Sequence, residues 1–370
     1  MIRAMWVVGS FGIGVLAAVF AAQPPGDESS AAKYDHTKVS VVCRDGHEQP
    51  IKSMDDLLLR RTHTLLGMQK AMGELPSSDR RCPLDVKIES ESESDGVILR
   101  RITFAPEEGD RVPALVMMKK SIASDSPAML CLHQTTGIGK GEPAGLGGLE
   151  NLHYAKELAA RGFVCLVPDY PSFGDYPYDF RTQGKHYASG SMKAIWNNIR
   201  AVDLLCEMKE VDPSRIGCIG HSLGGHNTLF TAAFDQRIRA VVTSCGFTGF
   251  HDYYKGNLQG WTSDRYMPRI REIYGNDPDK VPFDFPEILA AIVPRAIFVN
   301  APLNDDNFDN QGVRKVIAEV RPLLSIAGVS DNSLVAEYPD CAHDFPDDVR
   351  ERAYKWLEKQ LAKPLKPAQK

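Results

Sequence analysis

Six short runs of the chain are apolar almost throughout: AMLCLH (128–133), FVCLVPDY (163–170), RIGCIGHS (215–222), AVVTSCG (240–246), AIFVNAP (296–302) and LVAEYPD (334–340). Runs of this length, rich in β-branched residues and without polar alternation, predict strands covered on both faces. Between them the apolar positions recur at helical spacing. The clearest case is 191–209, where Met192, Ile195, Ile199, Val202 and Cys206 fall on one stripe, and helices are also expected over 150–161, 224–235, 310–327 and 347–362. Upstream, LDVKIESES (84–92) and VILRRITFA (97–105) alternate apolar and polar residues, and RVPALVMMKK (111–120) follows a turn at Glu108-Gly109-Asp110. These three predict an antiparallel meander at one sheet edge. The expected class is therefore α/β, a mostly parallel sheet of eight or nine strands with antiparallel N-terminal strands and helices on both faces.

Two segments stand outside this rhythm. A helix is expected from Ser53 as N-cap, with Asp55 and Asp56 in its first turn, to about Met72; Leu57, Leu58, Leu65 and Met68 are its apolar positions. Residues 247–290 carry Tyr253, Tyr254, Trp261, Tyr266 and Tyr274 among several Gly and Pro. In a sheet of this type such an insertion is expected over the carboxyl ends of the strands, where ligands bind, its aromatic residues either lining a pocket or packing as core.

The N-terminus reads as an address. Arg3 precedes an uncharged stretch from Ala4 to Ala22 that ends in small residues before QPPGDESS, which predicts an export signal over 1–22 cut near Ala21 or Ala22; the alternative is a retained anchor helix. Residues 23–40 read as a tether, so 23–83 form a tether and helical extension and 84–370 the main domain. The fractions of hydrophobic (43%) and charged (25%) residues are those of a globular protein. A net charge of −5 with no long Lys/Arg run argues against nucleic acid. Of eight cysteines, Cys131, Cys165, Cys218 and Cys245 lie inside apolar runs and read as core; Cys43 and Cys82 flank the first helix and could pair. A length of 370 residues, at roughly 150 per domain, suggests two domains. The order of the motifs below replaces that with one domain and additions to it.

The sharpest chemical signal is Gly220-His221-Ser222-Leu223-Gly224, between a predicted strand and a predicted helix. A serine hydroxyl is a weak nucleophile unless it is held clear of the backbone and given a base; a tight strand-to-helix turn does the first, and glycines permit it. The base is expected at His343, just after the last strand, and the orienting acid after AIFVNAP, at Asp305 or at its neighbour Asp306. Asp340 and Asp344 flank the histidine and are expected to be solvated. Two backbone N–H groups must face the oxyanion: that of Leu223, and that of Gln134 or Thr135 in the loop after AMLCLH. The glycines of this loop do not form a phosphate cradle, because Lys140 is followed by Gly141 and position 142 is Glu. His133, His221 and His226 with Asp169 lack metal-site spacing, so neither metal nor dissociable cofactor is expected.

With Gly220 to Gly225, the Asp305-Asp306-Asn307 loop, Ala342-His343-Asp344, and Asp169-Tyr170-Pro171 before Phe173-Gly174, the chain resembles the α/β-hydrolase superfamily over roughly 84–362. More narrowly it resembles acetyl xylan esterases and dienelactone-hydrolase-type carboxylesterases, with Ser222 where dienelactone hydrolases carry cysteine. The resemblance implies a serine esterase that works through an acyl-enzyme on a small-molecule or glycan ester; the N-terminal signal adds the expectation of an exported protein with no stable membrane span once it is removed. A serine peptidase of the same fold, or a catalytically silent binding protein on it, are the alternatives.

Overall fold

A computed structural model describes residues 34–182 and 186–363; the expected export signal at 1–22, and the tether as far as residue 33, lie outside the described residues. The chain enters through a hairpin, β1 (Val41–Arg44) and β2 (His47–Pro50), and a helix, α1 (Met54–Met72). The meander follows as β3 (Lys87–Ser94), β4 (Val97–Phe104) and β5 (Val112–Lys119). Alternation then begins: β6 (Ser126–Leu132), α2 (Tyr154–Ala160), β7 (Val164–Pro168), α3 (Gly190–Glu207), β8 (Val211–His221), α4 (Leu223–Phe234) and β9 (Ile238–Ser244). The insertion contributes α5 (Arg269–Glu272) and α6 (Phe285–Ile292) before β10 (Ala296–Asn300), α7 (Asn310–Ile326), β11 (Leu334–Glu337) and α8 (Asp347–Gln360) close the chain.

Among the described residues one sheet has nine strands in the order β11-β10-β9-β8-β6-β7-β5-β4-β3. From β11 to β7 the pairs are parallel; β5, β4 and β3 are antiparallel. Period-two alternation divides the core between the two faces. On β6, Ala128, Leu130 and Leu132 join the core under α1, α3, α4, α6 and α7, whereas Met129 and Cys131 join that under α2 and α8. Burying each of the leucine and methionine side chains contributes about 1.5–3 kcal/mol, which is why the strands can be apolar on both faces. The outermost strand, β3, is exposed along its whole length, and its alternating Glu and Ser residues blunt an open edge.

The expected α1 forms, with Ser53 and Asp56 in a reciprocal capping box. Its buried face differs from the expected stripe: Leu58 is exposed and Arg60 is buried. The reason lies in residues 34–40. Composition alone made them tether, yet Tyr34 and Val39 are buried. The Arg60 guanidinium lies 3.4 Å from the Tyr34 ring centroid, donates to the Lys38 carbonyl at 3.1 Å and pairs with Glu287 on α6 at 2.7 Å. The other Glu287 oxygen meets His36 Nδ1 at 2.9 Å. One buried carboxylate thus ties the entering chain and α1 to the insertion. All eight cysteines, Cys43 and Cys82 included, are free thiols. Among the described residues no helix is long and apolar enough to cross a membrane.

Within the insertion, Trp261 and Tyr253 take the core alternative. Trp261 is buried with its ring centroid 5.7 Å from Phe285, 6.1 Å from Phe250 and 4.8 Å from His226. Of the rest of the aromatic set, Tyr254 is exposed and Tyr266 and Tyr274 are half-buried.

Removing Glu287 strands a buried guanidinium and uncaps α6. Glu287→Ala is expected to lower stability by about 3–5 kcal/mol, measured as a shift of the urea midpoint, whereas Leu58→Ser on the exposed side changes it by less than about 0.5 kcal/mol.

Candidate active site

Ser222 occupies the single residue between β8 and α4, with φ 53° and ψ −115°. That left-handed φ is uncommon outside glycine and lifts the side chain off the strand axis. Two glycines make the turn possible. A Cβ on Gly220 would sit 2.2 Å from the Gly224 carbonyl oxygen, and one on Gly224 would sit 1.9 Å from the Leu132 carbonyl oxygen at the end of β6. The first turn of α4 therefore rests on the carboxyl ends of β8 and β6. Ser222 N–H donates to Ser244 at 2.8 Å, which ties the turn to β9.

Asp305 follows β10 and His343 follows β11, as the motif order predicts, and the two meet. His343 Nδ1 lies 2.9 Å from both oxygens of Asp305. An ionised carboxylate only accepts, so Nδ1 carries the proton and Nε2 is left as the basic nitrogen. Burial pushes the Asp305 carboxyl up, but hydrogen bonds from His343 and from the backbone N–H groups of Asn307 and Phe308 outweigh it and hold it below the usual carboxylate range. Asp306 is exposed and makes no bond to the imidazole. Asp340 accepts from Asn304 at 2.8 Å, and Asp344 is held by Asn151 and its own neighbour's N–H. The His343 ring packs against the edge of His221, centroids 4.9 Å apart, and near Phe308.

The loop after β6 faces the start of α4. Its shape is fixed by His133, whose Nδ1 donates to the Gln134 carbonyl at 2.6 Å while Nε2 accepts from Tyr170 N–H at 2.9 Å. Gln134 is pinned through its side chain to Glu142 at 2.9 Å. Among the described residues, no protein acceptor takes the backbone N–H of Gln134, Thr135 or Leu223. Lys140, in the glycine stretch, is buried between Asp169 and Asp175, 2.6 Å from each, so this cation closes the loop internally.

Of the histidines weighed as metal ligands, His133 and His221 are hydrogen-bonded elsewhere, whereas both ring nitrogens of His226 are buried without a hydrogen-bond partner among the described residues. His221 Nδ1 meets Ser244 Oγ at 2.9 Å, and His226 is enclosed by Phe230, Trp261 and Tyr266. A different set of polar atoms, Cys245 Sγ, Asp305 and His343, lies within 4.8 Å of one another. Burial pushes the Cys245 thiol well up, so it stays protonated and donates to the Asp344 carbonyl at 3.3 Å, the part of a donor rather than a ligand. Two supporting residues escaped the sequence reading. Asn300 Nδ2 donates to Ser244 Oγ at 2.9 Å and to the Asp344 carbonyl at 2.8 Å, fixing the His343 loop to two strands. Their one signal was a polar residue closing an otherwise apolar strand, in AVVTS and AIFVN.

Comparison with known proteins bears on the family and the fold. The profile of the prolyl oligopeptidase family matches residues 151–363, more than half the chain. The Bacillus subtilis protein YtaP is 26% identical over 302 residues, covering 79% of this chain and 97% of that protein. The 4-O-methyl-glucuronoyl methylesterase of Hypocrea jecorina is 26% identical over 49% of this chain and 44% of its own. The solved glucuronoyl esterase of Solibacter usitatus superposes with a TM-score of 0.70 at 18% identity, covering 87% of this chain and 97% of that one, which shows a shared fold.

Two outcomes follow from the buried groups. Burial lowers the pKa of His221 to about 3, with the nearby His343 adding to it, and burial alone lowers His226 to about 3. Both take up a proton less readily folded than unfolded, so their contribution is complete above about pH 6.5 and is lost as pH falls towards 3. Thermal melts are expected to show a loss of about 3 kcal/mol per imidazole by about pH 4, and His226→Leu to flatten that slope. At position 222 the left-handed φ reverses the usual ranking: Ser222→Gly is expected to be more stable than Ser222→Ala by about 1 kcal/mol in urea titrations.

Proposed function

The chain belongs to the prolyl oligopeptidase family, and from that footing we propose that it is a serine carboxylic ester hydrolase that removes ester groups, acetyl first among them, from a carbohydrate. The observation that carries the reading is the Asp305–His343 pair, whose imidazole packs on His221, the residue before a serine held at φ 53°. Ser222 Oγ gives its proton to His343 Nε2 and bonds to the ester carbonyl carbon. Asp305 stabilises the imidazolium and keeps its Nδ1 proton in place. The carbonyl oxygen, now negative, is received by the N–H of Leu223 and that of Gln134, with Thr135 the alternative donor. His343 returns the proton to the leaving alcohol, and the acyl group stays on Ser222. Water, deprotonated by the same Nε2, then releases the acid and restores the serine. The cycle consumes ester and water and needs no added redox or metal partner. The basic, apolar N-terminus adds export to the proposal, which suits a glycan substrate, and 84–370 is the catalytic domain. The family's name favours a second reading, peptide hydrolysis by the same residues.

A fluorophosphonate probe is expected to label Ser222, and p-nitrophenyl acetate to be turned over. Ser222→Ala should abolish labelling and reduce kcat/KM by about 10⁴-fold or more, Asp305→Asn by about 10²–10⁴-fold, and Asp306→Asn by less than about threefold. Turnover that survives Ser222→Ala contradicts the reading. Faster release of p-nitroaniline from peptides than of acetate from acetylated xylan moves it to the peptidase.

A further inference from the structure

Beside the turn that carries Ser222 lies a cleft of about 390 Å³, walled by the loop after β7 and by the insertion. It touches the site through Tyr266, which packs against the cluster of Tyr170, Phe173 and Leu223 and whose hydroxyl lies 3.2 Å from Thr135 Oγ1 in the loop after β6. The next residue back, Arg265, also lines the cleft. Its guanidinium carbon sits 4.6 Å from the Phe173 ring centroid and its Nε donates to Ser172 Oγ at 2.8 Å. Its backbone is fixed as well, since the Arg265 carbonyl accepts from the buried Tyr170 hydroxyl. Among the described residues no carboxylate lies within 4.0 Å of this guanidinium, so both Nη groups are uncommitted.

An arginine whose plane is set by a ring and whose Nε is already bonded has lost little freedom still to lose, and its remaining edge matches a carboxylate in two parallel hydrogen bonds. Among the described residues lining the cleft, Arg181, Asp179 and Asp264 join Arg265, so their formal charges balance. Net attraction therefore does not choose the ligand; the positioned group does. Tyr178 and Phe180 line the cleft too, giving it apolar faces that suit a sugar or aryl ring.

We infer that Arg265 is a specificity-determining residue: it binds a carboxylate carried by the substrate elsewhere than at the scissile ester, so that the preferred substrates are esters of acidic glycans or other anion-bearing esters. This rests on the esterase reading of Ser222. Arg265 itself takes no part in bond making, so a neutral ester is hydrolysed without it.

The test compares near-isosteres that differ in charge: 3- and 4-acetoxybenzoate against the corresponding acetoxybenzamides, with a 4-(ammoniomethyl)phenyl acetate as the cationic member. For the full-length protein kcat/KM is expected to favour at least one carboxylate over its amide by about tenfold, mostly through KM, with the preference shrinking as salt is raised. Arg265→Gln should bring that ratio to about one while the amide rate stays within about twofold, and Arg265→Lys should restore part of it. Equal rates for carboxylate and amide, a preference that survives Arg265→Gln, or faster hydrolysis of the cationic ester each overturn the inference and leave the esterase reading standing. Failure to hydrolyse any of the esters, with no labelling of Ser222, overturns both.

Discussion

The site depends on one close approach: the first turn of α4 lies against the ends of β6 and β8 with no room for a Cβ at Gly224 or Gly220. Everything chemical follows from that contact. It forces the single connecting residue, Ser222, into a left-handed conformation and so raises its hydroxyl above the sheet. It also brings the unpaired N–H groups at the start of a helix next to the loop that follows β6, where partial positive charge is available to a developing oxyanion. A larger residue at either glycine would separate the helix from the sheet and displace Ser222 and the N–H groups beside it together.

Around this contact the structure spends its buried polar groups on holding loops still. Asn300 and Ser244 fix the His343 loop, His133 and Gln134 fix the loop after β6, and Lys140 with Asp169 closes the same loop from behind. Each has a hydrogen bond or ion pair, as burial favours, although the Asn300 Oδ1 itself has no partner among the described residues. The groups proposed as catalytic are presented by loops, but their spacing is set by strands and by these ties, so the proposed reaction needs little reorganisation when charge develops. The same logic extends to Arg265, whose plane is set by Phe173 and Ser172 before any ligand arrives.

Much of this was legible from residue pattern, and the reasons differ by element. The apolar runs that became β6 to β11 are covered on both faces, so hydropathy alone marks them. Ser222, Asp305 and His343 could be ordered because each follows a strand, and a parallel sheet brings all such loops to one edge. What stayed hidden depended on distant partners. Arg60 looks like a surface residue until Glu287, on a helix 227 positions away along the chain, is seen beside it. Residues 34–40 lack the composition of a packed segment, yet Tyr34 is held under that same arginine. Asp305 and Asp306 are neighbours of equal chemistry, and only the backbone direction after β10 turns the first toward His343. Asn300 and Ser244 announce themselves only as polar ends of apolar strands, a signal too weak to act on without the register that pairs them.

The central claim is that a covalent acyl group forms on Ser222 with His343 as its base. Acid-quenching the protein within the first turnovers of p-nitrophenyl acetate and mapping the peptides by mass spectrometry tests it directly. One acetyl group on the peptide that contains Ser222, absent from a His343→Ala variant under the same conditions, is the predicted result. Release of p-nitrophenol with no acetyl group on Ser222, or with the group on another residue, contradicts it.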